Sequence, residues 1–317
     1  MRVVIVTMDD HLATALVRAR AILARELPGL VLTLHVAADW AHDPQALERA
    51  RADLAGAHVI IAAMLFLDEH FRPILPDLAA RRADCDALLA ILSAPEVARL
   101  TRIGRLSQDS TPGGALGLLR RLRGERKDRP ASGARQMALL RRLPQLLRFV
   151  PGTAQDLRAY FLAMQYWLAG SAENHAGLVH LLVDRYAEGP RRALRGRGKV
   201  PPPILYPEIG VYHPRLPGRI GERVADLPRA GERGTVGLLV LRSYLLAGNA
   251  AHYDGVIAAL EARGLAVVPV FAAGLDARPA IERFFIEDGC PRIDALVSLP
   301  GFSLVGGPAY NDARAGE

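Results

Sequence analysis

Val3-Val4-Ile5-Val6-Thr7, Val31-Leu32-Thr33-Leu34-His35-Val36, His58-Val59-Ile60-Ile61-Ala62-Ala63 and Ala87-Leu88-Leu89-Ala90-Ile91-Leu92 decide the fold. Each is a short, nearly continuous apolar run. Such runs read as strands of a parallel sheet covered on both faces. Between them, Leu12 to Leu27, Pro44 to Leu54 and Leu67 to Arg82 place apolar residues at helical spacing. Asp43 is suited to cap the second of these helices and Pro44 to open its first turn. Four strands linked in succession by three helices require right-handed crossovers and predict an α/β domain with an open, doubly wound parallel sheet. That architecture hosts many chemistries and names none.

The chain has 317 residues, half of them hydrophobic and 23% charged, a balance that excludes wholesale disorder. Cys85 and Cys290 stand alone, which excludes a disulfide framework and a cysteine zinc site. The first apolar run is broken by Asp9 and Asp10, too early for a secretory signal, and no stretch reaches the about 18 apolar residues of a transmembrane segment. These features predict a reduced, cytoplasmic protein. The net charge of +7 is local: residues 99 to 148 hold 13 Arg or Lys against Asp109, Glu125 and Asp128, which is 13 − 3 = +10. Leucines interleave with the basic pairs there, as in amphipathic helices with cationic faces. One reading is the solvated surface of a connector; the other is a docking surface for an acidic partner, with Arg120, Arg121 and Arg123 as its candidate contacts. Nothing in the pattern points to nucleic acid.

Two helices are expected between Thr153 and Ala187, the second capped by Ser171. Residues 188 to 234 then hold 8 Pro and 8 Gly in 47 positions and read as an irregular connector, with Pro201-Pro202-Pro203 in polyproline II geometry. The parallel pattern resumes with strands at Val236 to Leu241, Ala266 to Ala272 and Ala295 to Leu299, separated by helices at Asn249 to Arg263 and Ala277 to Ile286. The expected domains are therefore 1–150, an N-terminal α/β domain with a basic extension; 151–234, a helical pair and a Pro/Gly-rich connector; and 235–317, a second, partial flavodoxin-like βαβαβ unit that reads as cut short.

The nine histidines lack the spacing of a helical chelate and read mostly as surface or capping residues, and neither a P-loop nor a nucleophile elbow occurs. The run Ile204-Leu205-Tyr206-Pro207-Glu208-Ile209-Gly210-Val211-Tyr212-His213-Pro214 combines aromatics, a carboxylate and an imidazole with stiffening prolines. It fits a loop presenting Glu208 and His213, and equally an extended linker packing its aromatics on a neighbour. Arg242 lies at a strand's carboxyl end, where open α/β sheets bind ligands, and His252 follows on the next helix. Both could meet an anionic group, or merely cap the helix.

These same residues carry a family resemblance. Leu205 to Gly210, Tyr212-His213-Pro214, Arg242-Ser243, His252-Tyr253, Val268-Pro269-Val270-Phe271-Ala272, Ile281-Glu282-Arg283-Phe284-Phe285-Ile286 and Gly301-Phe302-Ser303-Leu304-Val305-Gly306-Gly307-Pro308-Ala309 resemble the large, porphyrin-binding H subunit of magnesium chelatase. Met164 to Ser171 and Leu182 to Tyr186 are similar to it just upstream, and residues 1–150 more loosely. The resemblance implies ATP-dependent insertion of Mg²⁺ into protoporphyrin IX in chlorophyll or bacteriochlorophyll biosynthesis, with ATP bound by the I and D motor subunits. It implies Mg²⁺ and the porphyrin as substrates, with no cofactor held by this region. Family members are several times longer, so the match is to the amino-terminal part, and the resemblance carries no catalytic residue over. Glu208, His213, Arg242 and His252 are the porphyrin or interaction candidates. The large subunit of cobaltochelatase is the alternative within the family, and a non-catalytic docking or regulatory module the alternative of another class.

Overall fold

A parallel strand buried on both faces needs a layer of side chains from each side, and the helices follow from that need. The computed structural model describes residues 1–107, 144–228, 231–274, 276–301 and 303–305. The first sheet contains β1 (Arg2–Thr7), β2 (Val31–Val36), β3 (Val59–Ala63) and β4 (Ala87–Ile91), all parallel, in the order β2-β1-β3-β4. A short antiparallel pair, β5 (Arg102–Ile103) and β6 (Leu106–Ser107), extends it beyond β4.

Alternate residues of these strands enter two cores. Val3, Ile5, Val59, Ile61, Leu89 and Ile91 face one side, where α1 (Ala13–Glu26) packs. Val4, Val6, Ile60, Ala62 and Leu88 face the other, covered by α2 (Pro44–Ala55), α3 (Asp68–Phe71), α4 (Leu75–Arg81) and α5 (Pro95–Ala98). The Asp43 side chain accepts from the Gln45 N–H at 2.9 Å, as its capping role requires.

The chain divides into two units, Met1–Ile204 and Leu205–Glu317, where the sequence reading has three parts. The helical pair, α6 (Thr153–Ala169) and α7 (Ala172–Tyr186), does not head a middle section. Tyr166, Trp167, Leu178, Val179 and Leu182 share one core with β1, β3 and α1, because α1 alone leaves part of that face uncovered. The first half of the Pro/Gly-rich stretch is strapped to the same pair. Asn174 accepts from the Ile204 N–H at 2.9 Å and donates to the Ile204 carbonyl at 3.1 Å, the Tyr166 hydroxyl donates to the Pro201 carbonyl, and a His180 ring nitrogen bonds the Arg197 carbonyl at 3.0 Å. A segment rich in Pro and Gly makes few hydrogen bonds with itself, so α6 and α7 supply its partners.

The second half of that stretch joins the second sheet instead. Ile209–Tyr212 is a strand, β7, antiparallel to β10 (Ala266–Ala272), and Ile220–Gly221, β8, pairs with β7 in turn. With β9 (Thr235–Leu241) and β13 (Ala295–Ser298) the sheet runs β13-β9-β10-β7-β8, and its three parallel strands take the flavodoxin-like order. The two-residue strands β11 (Ile286–Glu287) and β12 (Cys290–Pro291) form a separate hairpin. One face of this sheet packs Tyr212, Leu238, Val240 and Phe271 on α8 (Arg242–Ala247) and α9 (Ala251–Glu261); the other packs Val211, Leu239 and Val270 on α10 (Arg278–Phe284). The expected basic helices fall largely on residues 108–143, outside the described residues, as do Arg120, Arg121 and Arg123.

Two glycines give opposite expectations. A Cβ at Gly177 would lie 2.7 Å from the Tyr166 ring, so helices α6 and α7 touch there only because the side chain is missing. Gly177→Ala is expected to destabilise by about 1–3 kcal/mol through overpacking. Gly255, in α9 with nothing within 4 Å, is expected to gain about 0.5–1 kcal/mol on change to Ala. Denaturant midpoints of the two variants shift in opposite directions if both assignments hold.

Candidate functional site

The carboxyl edge of the second sheet gathers three of the four residues singled out in the sequence. Arg242 opens α8 as the chain leaves β9, and its guanidinium donates to the Pro207 carbonyl at 2.8 Å and the Tyr206 carbonyl at 3.1 Å. It thereby fixes the end of the Pro-rich segment and the entry into β7, with Glu208 one residue before that strand. His252, exposed on the first turn of α9, packs edge-on to Tyr244 with ring centroids 5.4 Å apart and lies 3.9 Å from the Tyr253 ring. The Tyr253 hydroxyl in turn accepts from the Leu241 N–H at 3.2 Å, tying this aromatic group to the end of β9. At the ends of β9, β10 and β13 lies a crevice of about 30 Å³ walled by Leu241, Ala272 and Ala277, with Ser298 and Ser303 at its lip. It sits where the strand order reverses, the usual ligand position in such sheets. As it stands it holds a water or two rather than an organic ligand.

His213 lies elsewhere. The antiparallel register of β7 with β10 carries the chain from Ile209, opposite Ala272, to Val211, opposite Val270, so His213 emerges at the amino edge of the sheet. Only 1% exposed, it places Nε2 3.1 Å from Glu261 Oε1 at the end of α9 and accepts from the Arg215 N–H on Nδ1 at 3.2 Å. Burial lowers its pKa, against the pull of Glu261. Arg215 also reaches Glu261 at 2.6 Å, and Tyr212 and Arg219 both bond Asp254. These groups bracket the β7–β8 hairpin onto α9, so the expected loop is a structural hairpin from Ile209 onward. A larger cavity, about 510 Å³, opens at this amino edge between Leu227, Val268, Phe284 and Ile293, with Glu232 and Arg292 among its polar lining.

The first sheet has a polar group at its own carboxyl edge that no sequence motif announces. The Asp9 N–H donates to Thr7 Oγ1 at 3.2 Å just after β1. Burial raises the Asp9 pKa and lowers that of His11, while the two charges oppose these shifts. His175, on α7, is wholly buried and packs edge-on to Trp167 at 5.3 Å. Burial, reinforced by His11, lowers its pKa to about 4. His180 is buried too, with Nδ1 3.1 Å from Glu26. The expectation that the histidines are mostly surface or capping residues is corrected at His11, His175, His180 and His213. One signal was available: His175 stands three, four and seven residues before Leu178, Val179 and Leu182, on the helix's apolar stripe. Among the described residues no group of three or more His, Cys, Asp or Glu converges as a metal site.

Two α/β units, each built on a largely parallel sheet with helices on both faces, place the chain among the doubly wound α/β proteins. Residues 164–317 belong to the family described as CobN/Magnesium Chelatase, and residues 2–161 match a domain of unknown function, DUF3479. It is 49% identical to the magnesium-chelatase H subunit of Cereibacter sphaeroides and 48% identical to that of Rhodobacter capsulatus, over 99% of this chain and 26% of each relative. It is 34% identical to the chloroplastic magnesium-chelatase protein ChlH of rice, Oryza sativa subsp. indica, over 82% of this chain and 20% of that one. The chain thus spans about a quarter of the length of its bacterial relatives. The catalytic subunit of cobaltochelatase from Mycobacterium tuberculosis superposes with a TM-score of 0.41 at 18% identity, over 94% of this chain and 18% of that one, too loosely to carry an argument.

The buried His175 has a measurable consequence. From pH 6.5 down to about 4 the unfolded chain binds a proton there that the folded protein refuses, so stability falls as the pH drops through that window. At about 1.4 kcal/mol per pH unit the loss from this residue is about 3 kcal/mol. His175→Met is expected to flatten that part of the denaturant-midpoint profile, and parallel profiles for the two proteins would contradict the assignment.

Proposed function

We propose that this chain is a region of the porphyrin-binding H subunit of a magnesium chelatase and serves the ATP-dependent insertion of Mg²⁺ into protoporphyrin IX. The observation that carries the reading is the 49% identity to the Cereibacter sphaeroides protein, sustained over 99% of the chain. Magnesium is favoured over cobalt because the relatives at 49%, 48% and 34% identity are all named magnesium-chelatase subunits. The reaction removes two pyrrole protons and strips water from a strongly hydrated cation, so it calls for bases near the ring and a rigid hold on the macrocycle. The sequence offers no P-loop, in keeping with ATP bound by the I and D motor subunits. The work is cytoplasmic in this reading.

Within such an enzyme the described residues suit holding and docking. Arg242 acts as a positioning residue: it fixes the Tyr206 to Glu208 turn beside the crevice at the carboxyl edge. Glu208 and His252 are then the groups on that edge able to meet a porphyrin substituent, while His213 serves the hairpin. The basic residues Arg120, Arg121 and Arg123 are the contacts proposed for an acidic face of the motor subunits. A docking or regulatory module remains the second reading, favoured by the +10 charge of residues 99–148.

Fluorescence quenching of protoporphyrin IX by the chain is expected to saturate, and Arg242→Ala to weaken it by about tenfold, the loss expected when about 1.4 kcal/mol of positioning is removed. Unsaturable quenching, or an unchanged affinity in the variant, would remove the porphyrin role from this edge. Reversal of Arg120, Arg121 and Arg123 to Glu is expected to abolish retention of the motor subunits on the immobilised chain. No magnesium protoporphyrin is expected from the 317-residue chain mixed with both motor subunits and ATP. Product in that mixture would show that a quarter-length region suffices.

A further inference from the structure

Close packing leaves few gaps larger than a water molecule inside a protein, so the open cavity of about 510 Å³ at the amino edge of the second sheet stands out. Its size falls in the range of small-molecule sites, about 300–1,000 Å³. The floor is apolar and fixed. Val268 of β10 and Phe284 of α10 are 8% and 4% exposed and join Leu227 in the core on that face of the sheet, with Ile293 packed against them. Ala266 lies two residues before Val268 on the same strand and so lines the cavity from the same face, where its methyl group fills little of the space.

The rim is polar. Among the described residues of the wall, Arg292 supplies the one cation and Glu232 the one carboxylate. The Arg292 backbone is held in place: its N–H donates to the carbonyl of the buried Phe285 at 2.8 Å, just after the β11–β12 hairpin. Its guanidinium is held less firmly. Nε lies 3.3 Å from Glu287 Oε2, with the two side chains 41% and 61% exposed, and ion pairs so open to water contribute little. A carboxylate entering the cavity therefore displaces Glu287 at small cost, and it matches the guanidinium through two parallel hydrogen bonds. We infer that this cavity binds a small monocarboxylate with an apolar body, its carboxylate on Arg292 and its hydrocarbon against Val268, Phe284 and Ile293. Glu232 sets the charge of the ligand, since a second carboxylate would meet like charge at the same rim. The inference stands apart from the chelatase reading, and either can fail alone.

Calorimetric titration of the 317-residue chain with octanoate tests the inference. The controls are 1-octanol, which has the same apolar tail and no charge, and suberate, which carries a carboxylate at each end. Octanoate is expected to bind saturably at one site per chain and at least about tenfold more tightly than either control, the margin of a charge-assisted hydrogen bond gained or a like charge refused. Arg292→Gln changes an exposed side chain, so its melting temperature is expected to match the parent's while octanoate binding weakens about tenfold and 1-octanol binding stays the same. Glu232→Gln is expected to bring suberate closer to octanoate. Ala266→Phe is expected to fill the cavity and abolish octanoate binding in a variant that melts no lower than the parent. No saturable heat, equal affinity for octanoate and either control, or an Arg292→Gln variant that binds octanoate like the parent overturns the inference. Octanoate binding that survives in folded Ala266→Phe places the ligand elsewhere and overturns it likewise.

Discussion

The central strands of both sheets have no face in water, and the rest of each unit answers that constraint. Val3 to Val6, Val59 to Ala63 and Ala87 to Ile91 are fully buried, so the first sheet needs apolar layers on both sides. One layer comes from α2 to α5, the helices interleaved with the strands. The other is not completed by α1 alone, and α6 and α7, much later in the sequence, lie beside it. The second sheet solves the same problem with fewer parts, α8 and α9 on one face and α10 on the other. Its edge strand β13 shows the constraint by contrast: equally apolar in sequence, it is exposed along its whole length.

That constraint also governs what can be read from the sequence. Continuous apolar runs such as Val59 to Ala63 announce their own burial, and the seven principal parallel strands are all legible to within a residue or two. Ile209–Tyr212 is not, because Pro207 and Pro214 flank it and its antiparallel partner β10 lies 54 residues away or more. The helical pair is legible as helices, but not its assignment to the first unit, since hydrophobic spacing tells which face is buried and not against what. The split of the site candidates has the same origin. Arg242 and Glu208 lie at one end of a sheet and His213 at the other because β7 runs antiparallel, a fact of register that local chemistry does not reveal.

Polar side chains do two kinds of work in this molecule. Asn174, His180 and Arg242 satisfy backbone groups of segments too rich in Pro and Gly to satisfy themselves, and His213 ties its own such segment to Glu261 of α9; His213 and Arg242 read as chemistry in the sequence and act as brackets in the structure. Buried partners of this kind are costly to remove singly, because the group left behind loses its hydrogen bond without regaining water. Glu208 and His252 in one unit and Asp9 and His11 in the other lie at the carboxyl edges, where open α/β sheets commonly bind ligands. The Arg242 clamp ties the Tyr206–Pro207 turn to the carboxyl edge of the second sheet.

The central claim is that this region serves magnesium insertion, and a chimaera tests it most directly. The chain would replace the matching region of the Cereibacter sphaeroides H subunit, and the purified hybrid would be assayed with motor subunits, ATP, Mg²⁺ and protoporphyrin IX. The account predicts magnesium protoporphyrin at a rate within about tenfold of the parent protein, the loss that about 1.4 kcal/mol of imperfect packing at the junctions would impose. A folded hybrid that binds the motor subunits yet forms no magnesium protoporphyrin would contradict it.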